Sequence, residues 1–420
     1  MTNGRLRLLY LSNAFPPGVS GRFPSLCAAA HTTETRLTQA LAKQTVVSTV
    51  GLLPGTLWGR LEPRDDSLGL EHKLLLWERN PKLLHRWRSW RQLRHFYLTE
   101  VARVGVPDVL LVRNLTTVFN YFVRWLRRQR VRPRIVLVLA DSGLGQPVSC
   151  PRRFRYLFKP MQTLEREAML WYDACLGFGL ESRRYFEPRG VPWMWMPSAF
   201  NFCYEPPPAD PARDGPIRFG YFGGLSQDIG VLSLVRAFLA AGIPGPLQIC
   251  GFGGLTDTLK KIAGEYPTFR FDGLLPRPLD CLPWAQSVDV LVNPRLPFRG
   301  RDNSFPSKIF EFGMTGKAIL STRTGGVDLV LGDDGIYLAT ENFEDSLGRK
   351  LCEVAAMDRA ELHRRGTAIR NRILKDFNWD AQAGRIVEFL TGLLSATKSG
   401  KSTISSGVGR RVDELEMSGL

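Results

Sequence analysis

Short apolar runs of strand length recur along the chain and alternate with stretches of helical periodicity. In the first half these runs are Leu6 to Leu11, Val46 to Val50, Val109 to Val112 and Ile135 to Leu139. In the second half they are Ile217 to Phe222, Leu247 to Cys250, Phe269 to Phe271, Val288 to Asn293, Ala318 to Ser321 and Ile336 to Leu338. Strands that alternate with helices form parallel sheets covered by helices on both faces. The pattern therefore predicts an α/β protein with two doubly wound domains.

A proline-rich segment from Phe202 to Gly215 separates the two sets of strands. Its composition is typical of an exposed, stiff linker. After the last helical pattern, small and polar residues without periodicity predict a disordered tail. The expected organisation is an N-terminal domain over 1–204, a second domain over 205–380, a C-terminal helix over 381–397 that could return to the first domain, and a tail over 398–420.

Length and composition exclude several classes of protein. The chain has 420 residues, of which 44% are hydrophobic and 23% charged, so it is too long for one ordinary core and too apolar for disorder. Its longest apolar run, Ile135 to Ala140, is about a third of a bilayer span, and no signal-peptide pattern follows Met1. The seven cysteines form no C-x-x-C pair and the five histidines no H-x-x-x-H motif. We therefore expect a cytoplasmic protein without a disulfide framework or a metal site.

The net charge of +16 comes from the first half of the chain. Residues 1–200 hold 30 Lys and Arg against 14 Asp and Glu, whereas residues 201–420 hold 26 of each kind. A basic domain can bind nucleic acid, an anionic membrane surface or an anionic substrate.

The densest basic stretch, Pro81 to Val104, predicts one amphipathic helix, because its apolar residues recur at steps of three and four. Such a helix can lie in the lipid headgroup layer, with its apolar face down and its arginines on phosphates. Docking on the protein's own core by the same stripe, and nucleic-acid binding, stay open as alternatives. The apolar positions are Leu83, Leu84, Trp87, Trp90, Leu93, Tyr97 and Leu98. The candidate membrane-surface residues are Arg86, Trp87, Arg88, Trp90, Arg91 and Arg94.

Four segments of the second half carry a family resemblance through their order and spacing. They are Phe219 to Gly230, Ser287 to Pro294, Phe305 to Thr322 and Phe377 to Trp379. Together they resemble the donor domain of glycosyltransferase family four, the retaining enzymes of GT-B fold, and in particular the Pro-Ser-Lys…Glu subgroup typical of bacterial polysaccharide glycosyltransferases. The first half is similar only loosely, at Asn13 to Gly21 and Met196 to Asn201. The resemblance implies two Rossmann-like domains facing a cleft and a nucleotide-sugar donor.

Gly223 and Gly224 stand at a strand end before a helix, where backbone N–H groups can approach a phosphate that no Cβ would block. An ordinary strand–helix turn is the alternative. The family usually has an arginine and a lysine in this loop, where this chain has Gly224 and Ile229. The charge of the diphosphate grows as the sugar bond breaks, and we expect cations outside this loop to stabilise it. The candidates are Arg295, Arg299, Arg301 and Lys308, with Lys308 first because a point cation near a helix N-terminus suits phosphate.

Glu311 follows Lys308 by one helical turn, so both project from adjacent positions of one face. The resemblance implies that Glu311 binds the ribose of the nucleotide; a partner for Lys308 alone is the alternative. The family's other glutamate, which touches the transferred sugar, is Asn303 here, or Asp302 if the loop shifts by one. Gly253, in a glycine run similar to the loop that closes over the nucleotide, and Ser307 complete the expected donor site.

On the basic half, Gly18, Gly21, Asn114 and Asp141 are the candidate residues on the acceptor side, because they stand at strand ends. Asp141 could orient the acceptor hydroxyl or the donor sugar, or it could cap a helix or turn. His31 is more typical of a packed or solvated side chain than of a catalytic one.

The resemblance implies a metal-independent, retaining hexosyltransferase that moves a sugar from a nucleotide sugar to a saccharide or lipid-linked acceptor. Its expected role is in cell-surface polysaccharide or glycolipid biosynthesis, in the cytoplasm or on the inner face of the plasma membrane. Glu311, Lys308 and Asp141 are the candidate catalytic residues, and no cofactor is expected beyond the nucleotide-sugar co-substrate. A nucleotide-sugar isomerase or epimerase of the same fold, or a catalytically impaired binding protein, stays open. Nucleic acid is not an expected partner, because it would not explain the strand-end residues of the neutral half.

Overall fold

The computed structural model describes residues 4–12, 28–54, 72–78, 82–140, 167–200, 204–208, 214–296 and 305–398. Contacts divide the chain into two compact units, one of Met1–Met196 with Trp379–Leu420 and one of Pro197–Asn378. The first unit thus ends at Met196, whereas the proline-rich segment placed the boundary at 204. The predicted tail from 399 onward and residues 209–213 of the predicted linker lie outside the described residues.

The strands of the described chain fall into two sheets. They are β1 (Arg7–Ser12), β2 (Val46–Pro54), β3 (His72–Glu78), β4 (Val109–Arg113), β5 (Arg134–Leu139), β6 (Ala174–Gly177), β7 (Trp193–Trp195), β8 (Phe219–Gly224), β9 (Leu247–Phe252), β10 (Phe269–Gly273), β11 (Val290–Asn293), β12 (Ala318–Thr322) and β13 (Ile336–Leu338). The first sheet has the order β3-β2-β1-β4-β5-β6-β7, and the second has the order β10-β9-β8-β11-β12-β13. All neighbouring strands run parallel.

Helices connect these strands. The α-helices are α1 (Ala28–Gln44), α2 (Lys82–Val104), α3 (Thr117–Leu126), α4 (Arg183–Phe186), α5 (Val231–Ala240), α6 (Thr256–Glu265), α7 (Cys281–Trp284), α8 (Lys308–Met314), α9 (Val327–Leu331), α10 (Phe343–Ala355), α11 (Arg359–Asp376) and α12 (Trp379–Lys398). Short 3₁₀ helices span Leu180–Ser182, Glu187–Arg189, Gln227–Ile229, Pro278–Asp280, Ala285–Ser287, Thr324–Gly326 and Gly332–Asp334. No helix in the described part of the chain has both the length and the hydrophobicity needed to cross a bilayer.

The predicted α/β, doubly wound architecture is confirmed, because in each unit the chain moves outward from a central strand and then returns to its other side. Each run of the sequence pattern forms a strand at or within a few residues of the expected position. The pattern did not predict β3, β6 or β7. The strands β6 and β7 have only four and three residues, too few for a periodic signal, and β3 directly precedes the basic helix.

Buried side chains of the first sheet meet helices on both of its faces. On one face, Leu9 and Leu110 belong to a buried cluster that also contains Leu93 of α2 and Phe122 of α3. On the other face α12 packs on α1, and the Lys43 ammonium pairs with the Asp380 carboxylate at 2.7 Å. The C-terminal helix therefore completes the unit that begins at the N-terminus.

Candidate functional site

In the second unit the strand order reverses between β8 and β11. From β8 the chain proceeds to β9 and β10 on one side, and from β11 it proceeds to β12 and β13 on the other. β8 and β11 pair only near their starts, through Phe219 with Val290 and Gly220 with Leu291. Their carboxyl ends are therefore free to separate, and such a reversal point is where open α/β sheets bind ligands.

Lys308 lies against the end of β8 at this point. A Cβ built on Gly223 would be 2.0 Å from Cε of Lys308 and 2.1 Å from its Nζ. Gly223 also has a φ of +142°, a conformation that side chains rarely adopt. The absence of a side chain at Gly223 thus allows the lysine ammonium to reach the strand end.

Glu311, one turn further along α8, is half-buried like Lys308. The structure shows no hydrogen bond or ion pair between Lys308 and Glu311, nor from either to another described residue. The alternative interpretation of Glu311 as an ion-pair partner for Lys308 therefore loses its support. Among the described residues, neither charged group is used in a side-chain hydrogen bond or ion pair.

Lys308 and Glu311 of α8 affect the pKa values of neighbouring side chains. Burial raises the pKa of Tyr221, and the Glu311 carboxylate raises it further while Arg295 opposes this. Burial likewise raises the pKa of Cys281 to about 11, with the Glu311 carboxylate adding to the rise and the Lys308 ammonium opposing it. Burial raises the pKa of Cys250 to about 12, again against Lys308. The two thiols are thus protonated at neutral pH.

Side-chain hydrogen bonds join the end of β11 and the loop after it to β12. The Thr322 hydroxyl donates to the carbonyl oxygen of Arg295 at 2.7 Å. The Asn293 side-chain amide donates to the hydroxyl of Ser321 at 2.8 Å, and both residues are buried. Arg295, a predicted donor-site cation, therefore extends from a fixed backbone position at the reversal point.

Close backbone approaches bring the other strand-end loops together. A Cβ on Gly230, which has a φ of +84°, would be 2.0 Å from the carbonyl oxygen of Pro294 at the end of β11. A Cβ on Gly253 would be 2.4 Å from the carbonyl oxygen of Leu225. At Gly224, by contrast, a Cβ would meet only Ile229, at 3.8 Å. The loops after β8, β9 and β11 thus converge within the second unit.

The predicted donor-site residues divide into two sets. The structure places Gly223, Gly224, Gly253, Arg295, Ser307, Lys308 and Glu311 at the carboxyl edge of the second sheet or at the start of α8. Arg299, Arg301 and Asn303 lie outside the described residues. Tyr221, whose hydroxyl donates to the carbonyl oxygen of Gly224 at 2.9 Å, was not predicted. A buried tyrosine within an otherwise apolar strand could have signalled it.

In the first unit, Asn114 stands directly after β4 with a φ of +52°. Its side-chain oxygen accepts the backbone N–H of Ala140 at 2.9 Å, and its own N–H donates to Val138 at 2.9 Å. Asn114 therefore joins the ends of β4 and β5. Gly18, Gly21 and Asp141 lie outside the described residues, as does the side chain of His31.

A buried charged network below this edge was not predicted from the sequence. The Arg113 guanidinium pairs with the Glu34 carboxylate at 2.7 Å, and the Tyr10 hydroxyl donates to the same carboxylate. All three side chains are buried, and the guanidinium also lies 4.8 Å from the centre of the Phe178 ring. Burial raises the pKa of Glu34 although Arg113 and Tyr10 oppose the rise. The residues come from β1, α1 and β4, so no local motif indicates the network.

The basic segment forms a single helix, α2, as predicted. Its apolar stripe does not face outward, because Leu93 and Tyr97 are buried in the unit's core and Trp90 packs against it. Trp87 is 52% exposed, and Arg88, Arg91 and Arg94 are exposed while Arg86 is half-buried. The expected orientation, with the apolar face down on lipid, is therefore wrong for Leu93, Tyr97 and Trp90, which dock the helix on its own sheet.

Comparisons with known proteins place the fold. The chain is similar to a lipopolysaccharide outer core galactosyltransferase, WaaB, with a TM-score of 0.62, 14% identity, and 92% of this chain and 99% of that chain covered. It is also similar to sucrose-phosphate synthase from Thermosynechococcus elongatus, with a TM-score of 0.64, 15% identity, and coverage of 93% and 100%. A trehalose-6-phosphate structure from E. coli, bound with UDP-2-fluoro glucose, matches with a TM-score of 0.58, 12% identity, and coverage of 91% and 98%.

No family model matches the chain, and no curated protein sequence matches it. The structural similarities extend over both units and nearly the full length of each neighbour. The chain therefore has the GT-B fold, as the sequence resemblance implied.

Proposed function

We propose that this protein is a retaining glycosyltransferase of the family-four type, which moves a sugar from a nucleotide sugar to a saccharide or lipid-linked acceptor. The observation that carries the proposal is the position of the Lys308 ammonium over Gly223, with the Glu311 carboxylate, which has no partner in the described part of the chain, one turn away. A cation and a carboxylate at a sheet's reversal point suit a ligand that has both phosphates and sugar hydroxyls.

The similarity to WaaB, sucrose-phosphate synthase and a structure bound with UDP-2-fluoro glucose supports this choice of ligand. WaaB is a galactosyltransferase of the lipopolysaccharide outer core, which favours a role in cell-surface polysaccharide or glycolipid biosynthesis. A lipid-linked acceptor would bring the enzyme to a membrane surface from the cytoplasmic side.

In the proposed reaction the bond from the donor sugar to the β-phosphate breaks while the acceptor hydroxyl bonds to the same face of the sugar. The leaving phosphate takes the acceptor's proton, so charge and protons balance without a separate base or a metal. Lys308 stabilises the charge that grows on the leaving diphosphate, and Glu311 holds hydroxyls of the nucleotide. The remaining diphosphate cations would come from Arg295, Arg299 and Arg301. Asn303 would contact the transferred sugar, and Asp141 would orient the acceptor hydroxyl or the donor sugar.

The first test is thermal unfolding of the full chain with a panel of nucleoside diphosphates and nucleotide sugars. A ligand that binds only the folded protein raises the unfolding temperature by mass action. We expect at least one nucleotide sugar to do so, and Lys308→Ala to weaken that binding by about ten- to a hundredfold, since a hydrogen bond to a charged group contributes roughly 1.5–3 kcal/mol. Lys261→Ala, an exposed lysine on α6, is the matched control.

If Lys308→Ala binds the nucleotide sugar as tightly as the wild type, Arg299 or Arg301 and not Lys308 binds the diphosphate. A nucleotide sugar that is converted without any acceptor would favour the isomerase or epimerase. Binding of a nucleotide sugar without turnover on a panel of saccharide and lipid-linked acceptors would favour the impaired binding protein. That alternative is supported by Gly224 and Ile229, which stand where the family usually has two cations.

A further inference from the structure

Arginines and tryptophans alternate across one surface of the first unit. The Arg91 guanidinium lies 4.8 Å from the centre of the Trp87 ring on α2. Arg94 lies 5.8 Å from the Trp90 ring of the same helix and 5.2 Å from the Trp125 ring of α3.

The series continues beyond the two helices. Arg124 of α3 lies 5.7 Å from the centre of the Trp171 ring. We call Arg91, Arg94, Arg124 and the four tryptophans they contact the Arg–Trp surface.

The arginines of this surface are available to a partner. Arg91, Arg94 and Arg124 are exposed, and none forms a hydrogen bond or ion pair with another residue in the described ranges. A guanidinium group that lies over a ring still has five N–H donors, which can bind a phosphate. The contact with the ring also restricts the side chain in advance, so less conformational entropy is lost on binding.

Exposed apolar side chains stand next to these arginines on the same helices. Leu98, four residues after Arg94, is 46% exposed, and Tyr121, three residues before Arg124, is 44% exposed. Residues three or four apart on a helix are neighbours on its surface. Positive charge is thus interleaved with apolar and aromatic groups, which is the composition of surfaces that enter a lipid headgroup layer.

We propose that the Arg–Trp surface binds an anionic lipid bilayer, with the stacked guanidinium groups on lipid phosphates and Trp87, Leu98 and Tyr121 in the headgroup layer. The inference goes beyond the proposed function, because it concerns neither donor nor acceptor. It also differs from the single-helix orientation expected from the sequence, since α3 contributes Arg124 and Tyr121 and the buried Leu93 and Tyr97 of α2 take no part. One of the protein's own arginines lies over each of the four tryptophan rings, which disfavours single-stranded nucleic acid, whose bases stack on free aromatic faces.

The experiment is vesicle sedimentation with the full chain. We expect binding to vesicles of phosphatidylcholine with phosphatidylglycerol, little binding to phosphatidylcholine alone, and loss of binding as NaCl rises, because exposed charges are screened over about 8–10 Å at physiological salt. Replacing Arg91→Gln, Arg94→Gln and Arg124→Gln together should weaken binding on the order of a hundredfold. The replacement Arg91→Lys, Arg94→Lys and Arg124→Lys should weaken it less, because charge is kept while the planar, stacked donors are lost.

The matched control removes three exposed cations from the second unit, Arg236→Gln, Lys260→Gln and Lys261→Gln, and should bind vesicles like the wild type. Equal binding to neutral and anionic vesicles, or no difference between the arginine-to-glutamine variant and this control, would overturn the proposal. Lysine replacements that bind as tightly as the wild type would overturn the role of stacking. Tighter binding to an RNA oligonucleotide, lost in the same glutamine variant, would reassign the surface. Nucleoside diphosphate binding, measured on the same proteins, reports separately on the proposed function and should not change.

Discussion

The ammonium group of Lys308 occupies the space where a side chain at position 223 would stand, 2.1 Å from a Cβ built on Gly223. The two residues belong to different elements, the end of β8 and the start of α8. Their contact brings the cation to the strand end where the glycine's backbone is also exposed to a ligand. Under the proposed function, this contact would supply the diphosphate cation that Gly224 and Ile229 do not.

We predict that Gly223→Ala displaces Lys308 and weakens nucleoside diphosphate binding on the order of tenfold, the effect of losing one charged hydrogen bond. The new methyl group would collide with the end of a flexible side chain, which can move, so the fold should persist with a strain cost of about 1–3 kcal/mol at the positive φ. Isothermal titration calorimetry measures the affinity. Gly264→Ala on α6 is the control, because a Cβ there meets no described atom within 4 Å and its φ is not positive; equal losses in both variants would contradict the prediction.

Glu311→Gln should lower transfer by about ten- to a hundredfold while leaving the unfolding temperature unchanged. The side chain is half-buried and has no partner among the described residues, so its removal breaks no structural contact, whereas a neutral amide binds sugar hydroxyls less strongly than a carboxylate. Steady-state rates with the donor found by thermal unfolding provide the measurement. Glu353→Gln, an exposed glutamate on α10, should retain the wild-type rate. A Glu311→Gln variant that turns over like the wild type would remove Glu311 from the site.

Two leucines of α2 should differ sharply in their contribution to stability. Leu93 is fully buried in the core of the first unit, whereas Leu98 is 46% exposed. Leu93→Ala should therefore lower the free energy of unfolding by about 2–5 kcal/mol, and Leu98→Ala by less than about 0.5 kcal/mol. Urea denaturation followed by circular dichroism compares them. Similar small effects for both would mean that α2 is not docked on the sheet.

The buried Glu34 should give the protein a characteristic pH dependence of stability. Its pKa is raised in the folded state, so the folded protein holds the proton more tightly than the unfolded chain does. The stabilisation is then complete below the ordinary carboxyl pKa and is lost as pH rises through the folded-state pKa.

Wild-type protein should accordingly lose stability relative to Glu34→Gln as pH rises from about 4.5, with a slope of at most about 1.4 kcal/mol per pH unit for one proton. The comparison uses only the slopes of unfolding free energy against pH. Glu34→Gln also leaves Arg113 without its charged partner, and that loss of stability is nearly independent of pH. Denaturation at a series of pH values gives both curves. Parallel curves would show that Glu34 does not bind a proton on folding in this range.

The hydrophobic pattern alone determined most of the two sheets. Runs such as Ile135 to Leu139 and Leu247 to Cys250 have the length and apolar content of buried parallel strands, and both form strands at the expected positions. The spacing of Lys308 and Glu311 likewise determined that they share one helical face. These features are local, because each depends on residues within a few positions of one another.

Tertiary structure decided the features that join distant segments. The pattern of α2 is the same whether its apolar stripe meets lipid or a sheet, and only its packing on β3, in one buried cluster with Leu9 and Leu110, shows that it meets the sheet. Arg113, Glu34 and Tyr10 come from three elements, and the rings beside Arg94 and Arg124 come from α2, α3 and the turn before β6. Lys308 reaches Gly223 only because the strand order places β8 next to β11, from which the chain leads to α8. Such pairings depend on which strands lie side by side, which no periodicity along the chain encodes.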